Sequence, residues 1–165
     1  MFRFGLKLFS RQITSLSAPG FAVLLLLVVP VAVTAQRSKG DSGDDKPIFS
    51  EFRGVHLGMT TEEARKKLGS PRDKSDEQDF YTFSNDTQAI QIYYDKGMVM
   101  AISIMYLEGA TGIPACKEVL GIEGEKKADG SIYKLIRYAK AGYWVSWSRT
   151  AGNEPTVTIT MQRIQ

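Results

Sequence analysis

The sequence predicts an α+β domain in which two tandem α-β-β-β units share one antiparallel sheet, with the helices packed on one face. Three observations carry that expectation. A capped helix signal at 60–68 gives way to runs rich in aromatic and β-branched residues. Turn-forming residues separate those runs, as in a meander. The pattern then recurs: Leu68-Gly69 and Leu120-Gly121 lie 52 residues apart, and Tyr81 and Tyr133 share that offset. One such unit has too little core to stand alone, so the halves, about 51–109 and 110–165, are expected to build a common sheet of about six strands.

The first 35 residues read as an export signal. They carry Arg3, Lys7 and Arg11, no acid, and an apolar run over Phe21–Val33. Val33-Thr34-Ala35 places small residues where a signal peptidase reads them, giving cleavage before Gln36. The uninterrupted apolar stretch falls short of the ~20 residues of a comfortable membrane span. The expected product is an exported chain, periplasmic or secreted, with no stable membrane span; retention by an uncleaved N-terminal anchor is the alternative. No Cys lies near the cleavage site, which excludes lipid attachment there. Residues 36–50 are polar and without hydrophobic period, as in a flexible linker. The acidic run at 41–45 lacks the downstream glutamate of a calcium-binding loop.

The domain proper is expected over 51–165. Thr60 caps its first helix, and Glu63 three residues on completes a capping box. Gly69 and Pro71 end it. Runs 79–84, 88–95 and 98–107 follow as strands, with Asn85-Asp86-Thr87 and Lys96-Gly97 as turns. A second helix is expected over 113–120, from Pro114 in its first turn to Gly121 at its end. Runs 132–138, 143–148 and 156–164 supply the last three strands.

Strand alternation divides the side chains between two faces. Ile90, Ile92, Val145, Trp147, Val157, Ile159 and Met161 fall on the side the helices are expected to cover. The opposite side presents Tyr93, Trp144, Ser146, Thr158 and Thr160, with Lys134 as a neighbour. Tyr93, Trp144, Lys134, Thr158 and Thr160 are therefore the candidate partner-binding residues, since aromatics on a rigid sheet make good anchors. Phe80, Tyr81, Phe83, Tyr133, Tyr138, Tyr143 and Trp147 are expected in the core.

The run GVHLGMTTEEARKKLGSP, Gly54 to Pro71, followed by a meander, resembles the SmpA/OmlA (BamE) family of small outer-membrane-assembly proteins. The repeated plan over 51–164 is similar to the related β-lactamase-inhibitor-protein-like fold. The resemblance implies a non-enzymatic protein-binding module of the bacterial cell envelope, with an accessory role in outer-membrane assembly. A secreted enzyme inhibitor of the β-lactamase-inhibitor type is the alternative it suggests. Its implied partner is another envelope or secreted protein.

Other function classes find less support. Beyond the N-terminal segment, Lys+Arg and Asp+Glu balance at 18 each, whereas nucleic-acid binding asks for a cationic surface. A lone cysteine, Cys116, forms no intrachain disulfide and no multi-cysteine zinc site. Cys116 with His56, the single histidine, is the one conceivable thiol-enzyme pair. Yet Cys116 matches Ala64 in the repeat, an inward site where Cys acts as a small hydrophobe. The carboxylate pairs Glu62/Glu63, Asp44/Asp45 and Asp76/Glu77 sit at a helix start or in polar loops. No catalytic residues, metal or cofactor are expected.

Overall fold

The computed structural model describes residues 46–164, which belong to one compact unit. The signal peptide expected over 1–35 and most of the linker expected over 36–50 lie outside the described residues. The elements run α1 (Thr61–Leu68), β1 (Asp73–Lys74), β2 (Gln78–Phe83), β3 (Gln88–Asp95), β4 (Met98–Tyr106), α2 (Cys116–Leu120), β5 (Glu125–Lys126), β6 (Ile132–Tyr138), β7 (Tyr143–Arg149) and β8 (Val157–Arg163). All strands join one sheet in the order β1-β2-β3-β4-β8-β7-β6-β5, and every pairing is antiparallel.

This architecture corrects the α+β expectation of helices covering one face. Helix makes up only ~11% and the fold is mostly β. The helices are too short to clad the sheet: eight and five residues reach about 12 and 8 Å, against about 34 Å across eight strands. The second helix starts at Cys116 rather than 113, because Ala115 holds the extended cap position, φ −68° and ψ 156°. The Glu118 carboxylate accepts the Ala115 N–H at 2.6 Å and closes that helix start. Phe49, Phe52, Leu57, Ala110 and Ile122, all of them outside the helices, complete the cover over the core.

The two strands missing from the sequence reading, β1 and β5, are exposed two-residue charged edges. Short charged edges discourage pairing with other sheets. At the first helix the local expectation holds. Thr60 Oγ1 accepts the Glu63 N–H at 3.3 Å, and the Glu63 carboxylate accepts the Thr60 N–H at 3.0 Å. The β3–β4 hairpin turns on Lys96-Gly97, both at positive φ (50° and 73°), as a two-residue turn matching strand twist requires. A bulge after Tyr93 pairs Tyr94 with Val99 while Tyr93 pairs with Ala101. It lets Val99 and Ile102, three residues apart, both be buried.

The core lies on the face that carries α1 and α2. Ile90, Ile104, Ile159 and Trp147 are partners across four adjacent strands, as are Ile92, Ile102, Met161 and Val145. All of them are buried. Trp147 Nε1 donates to Pro114 O at 2.9 Å, which ties the lead-in of α2 to the sheet. A 52-residue offset pairs Tyr81 with Tyr133, yet Tyr81 is buried and Tyr133 is 40% exposed. The repeat therefore changes phase within its strands, and Tyr133 is corrected from core to surface.

One charged group is enclosed in this core. Asp79 of β2 is fully buried and accepts from Arg65 Nε and Nη2 of α1, both at 2.8 Å. It also accepts the hydroxyls of Tyr94 at 2.7 Å and Tyr81 at 3.3 Å. Burial alone raises the carboxyl's pKa, but the Arg65 and tyrosine hydrogen bonds outweigh it and hold the group below its ordinary 3.8. Burial and the facing carboxylate push the Tyr81 phenol up to about 12. Removing Arg65 as Ala leaves the anion uncompensated, and a loss of roughly 3–5 kcal/mol is expected in denaturant unfolding. Because the folded-state pKa is depressed, the stability it contributes is present above pH 3.8 and lost as pH falls below it. Asp79→Asn should abolish that acid-side loss, which urea titrations over a pH series would measure.

Candidate functional site

Among the described residues, no helix packs on the face opposite α1 and α2. The registers assemble it as three rows across six strands. The first is Gln78, Tyr93, Ala101, Gln162, Trp144 and Arg137. Beside it run Phe80, Gln91, Ser103, Thr160, Ser146 and Leu135. The third is Thr82, Ala89, Met105, Thr158, Ser148 and Tyr133. Arg137 is the only charged side chain in these rows.

Side-chain size gives the face its relief. Ala101, Ser103 and Thr160 line the β4–β8 seam, with Tyr93 and Phe80 to one side and Trp144 and Leu135 to the other. A hollow of about 420 Å³ opens there, lined by Tyr93, Met100, Ala101, Ser103, Thr160 and Gln162. Ser103 and Thr160 hydroxyls lie 3.3 Å apart across the seam. Gln91 Nε2 donates to Gln78 Oε1 at 3.1 Å, so both amides are held in place. Tyr93 stands 38% exposed, while Trp144 is half-buried at the matching position on the far wall. Three strand spacings put these rings about 14 Å apart.

Four of the five candidate residues, Tyr93, Trp144, Thr158 and Thr160, share this face. Lys134 does not. It pairs with Trp147 on the core side, and its ammonium meets Glu125 at 2.7 Å. Phe80 is corrected as well: it alternates with buried Asp79 and Tyr81, so it stands half-buried on the open face rather than in the core. Alternation also puts Gln91 and Gln162 on this side, as found, whereas Gln78, Ala101, Ser103 and Met105 are not recognised from it as members of the face. Strand 98–107 looks apolar on both sides, and only its pairing with β8 reveals which side is solvent-facing.

Cys116 and His56 are not brought together as a reactive couple. Cys116 is buried, and burial pushes its thiol up from the ordinary value, with Glu123 adding to the effect. That disfavours the thiolate a nucleophile needs. The His56 ring is hydrogen-bonded instead to Leu57 O, at 3.1 Å through Nδ1. Among the described residues, no group of three or more His, Cys, Asp or Glu side chains is placed to hold a metal ion. None of the described helices is long and apolar enough to cross a membrane.

No protein-family model, no curated protein and no solved structure matches this chain.

The two tryptophans test the assignment of faces. Trp147→Ala opens a cavity in the core and is expected to cost roughly 3–5 kcal/mol in thermal or urea unfolding. Trp144→Ala should leave folding nearly unchanged. Acrylamide quenching of the remaining tryptophan should be efficient in Trp147→Ala and weak in Trp144→Ala; the reverse order would place the register one residue out.

Proposed function

We propose that this chain is an exported, non-enzymatic protein-binding module of the bacterial cell envelope, and that it docks its partner on the open face of the sheet. The observation that carries the reading is the near absence of charge across the six central strands of that face, where Arg137 is the one charged side chain, together with its aromatic walls. Amides and hydroxyls are far less costly to strip of water than carboxylates or ammoniums. Protein interfaces follow the same logic at their centres, with charge depleted and Tyr, Trp and Phe enriched. Tyr93 and Trp144 are the expected anchors, and Thr158 and Thr160 supply hydroxyls on β8 between them.

The resemblance of Gly54–Pro71 to the SmpA/OmlA (BamE) family supports an envelope partner and an accessory role in outer-membrane assembly. An exported enzyme, inhibited by docking, is the other partner class on this reading. Export would rest on the segment 1–35, removed before Gln36, and leave the domain periplasmic or secreted with no membrane span. The balanced charge after residue 35 argues against nucleic acid. The domain would need no metal or cofactor to dock a protein.

A photo-crosslinker placed at Tyr93 should trap a discrete protein adduct in the native envelope, and one at Glu62 on α1 should not. With the trapped partner purified, Trp144→Ala is expected to weaken binding by roughly 2 kcal/mol, about thirtyfold. Cys116→Ser should bind as the parent does. Equal affinity of Trp144→Ala and parent would remove the sheet face from the proposal.

A further inference from the structure

A second concavity lies on the other side of the sheet, where the lead-in to α1 meets the β6–β7 turn. It has a volume of about 320 Å³ and is lined by Ser50, His56, Leu57, Gly58, Ala141, Gly142, Tyr143 and Arg163. We propose that this pocket binds a small oxyanion, a carboxylate or a phosphate group, through Arg163, His56, Tyr143 and Ser50. The proposal stands independently of the open face.

The lining has the composition such a ligand needs. It contains a guanidinium, an imidazole and two hydroxyls, and no carboxylate. Arg163 is the principal binding group, since its planar fork of N–H donors matches an oxyanion edge. Among the described residues its side chain has no ion pair or hydrogen bond. A Cβ built on Gly58 would stand 3.9 Å from Arg163 Nη1, so the guanidinium lies close to the Gly58 backbone at the pocket wall. Gly58 and Gly142 both adopt positive φ, 83° and 76°, which other residues tolerate poorly.

The remaining donors are held for the same task. Burial, with Tyr138 nearby, pushes the Tyr143 phenol above its ordinary value, so it stays protonated and able to donate. His56 Nδ1 faces Leu57 O, which leaves Nε2 as the ring nitrogen able to face a ligand. Glu63 of α1 acts electrostatically on His56, but its carboxylate is already bound to the Thr60 N–H and hydroxyl. Asp95 borders a smaller hollow shared with Arg163 and forms no ion pair with it.

The only histidine in the chain makes the test direct. Inorganic phosphate and, separately, acetate are titrated into the protein at constant pH and ionic strength while the His56 ring protons are followed by NMR. A saturable shift is expected. Saturation by phosphate alone assigns a phosphate site, by acetate alone a carboxylate site, and by both an oxyanion site without preference. Arg163→Gln should weaken the binding roughly tenfold or more with an unchanged unfolding midpoint. Tyr143→Phe, which keeps the ring packing, should weaken it several-fold. Shifts that rise linearly with both anions, or parent-like titrations in both folded variants, overturn the proposal.

Discussion

Antiparallel pairing of β4 with β8, from Ala101↔Gln162 to Tyr106↔Val157, is the contact on which both sides of this molecule depend. It joins the last strand of each half, so the strand order reads from either edge towards one central seam. On the core side the seam sets Ile102 against Met161 and Ile104 against Ile159, all fully buried. The two apolar faces thereby become one core, which neither half of the chain could assemble from its own strands. On the other side the same six pairs set Ala101, Ser103 and Thr160 side by side as the floor of the hollow. A shift of one residue in this register would exchange floor and core.

Charge is distributed unequally between the two faces. The core side holds the Arg65–Asp79 pair under α1 and the cationic pocket around Arg163, whereas the six central strands of the open face carry Arg137 alone, with Asp73 and Glu125 on the short edge strands. Gln162 and Arg163 show how one strand serves both sites. As successive residues of β8 they point to opposite sides, the first into the open hollow and the second into the pocket beside Gly58. Any partner on the neutral face would therefore find the charged site behind it, across the thickness of a single sheet.

Much of the strand layer was legible in the sequence, because alternation and turn chemistry agree locally. Runs 88–95, 132–138 and 143–148 fall within a residue of the strands found, and the Thr60–Glu63 capping box forms as the spacing predicts. The helix layer was not legible. Pro114 and Gly121 bracket a helix correctly, but nothing local says that its start slips to Cys116 or that the cover falls largely to segments such as 49–59. Faces of individual residues failed where pairing rather than pattern decides them. Lys134 alternates with Tyr133 and Leu135, and no local signal tells which of the three points outward. The buried Asp79 was invisible for a related reason: a charged residue at the head of a strand reads as surface until Arg65 is brought over it. Arg163 and His56, over a hundred residues apart, meet only through the fold.

If the seam is what binds the halves into one cooperative structure, the backbone amides of β4 and β8 must open together and last. Native-state hydrogen exchange under increasing denaturant measures this directly. The expected result is a common opening free energy for amides in β3, β4, β7 and β8, equal to that of global unfolding. Amides of β6, β7 and β8 that opened at a distinctly lower free energy, with β2–β4 still protected, would show the halves to be separable and contradict the shared core.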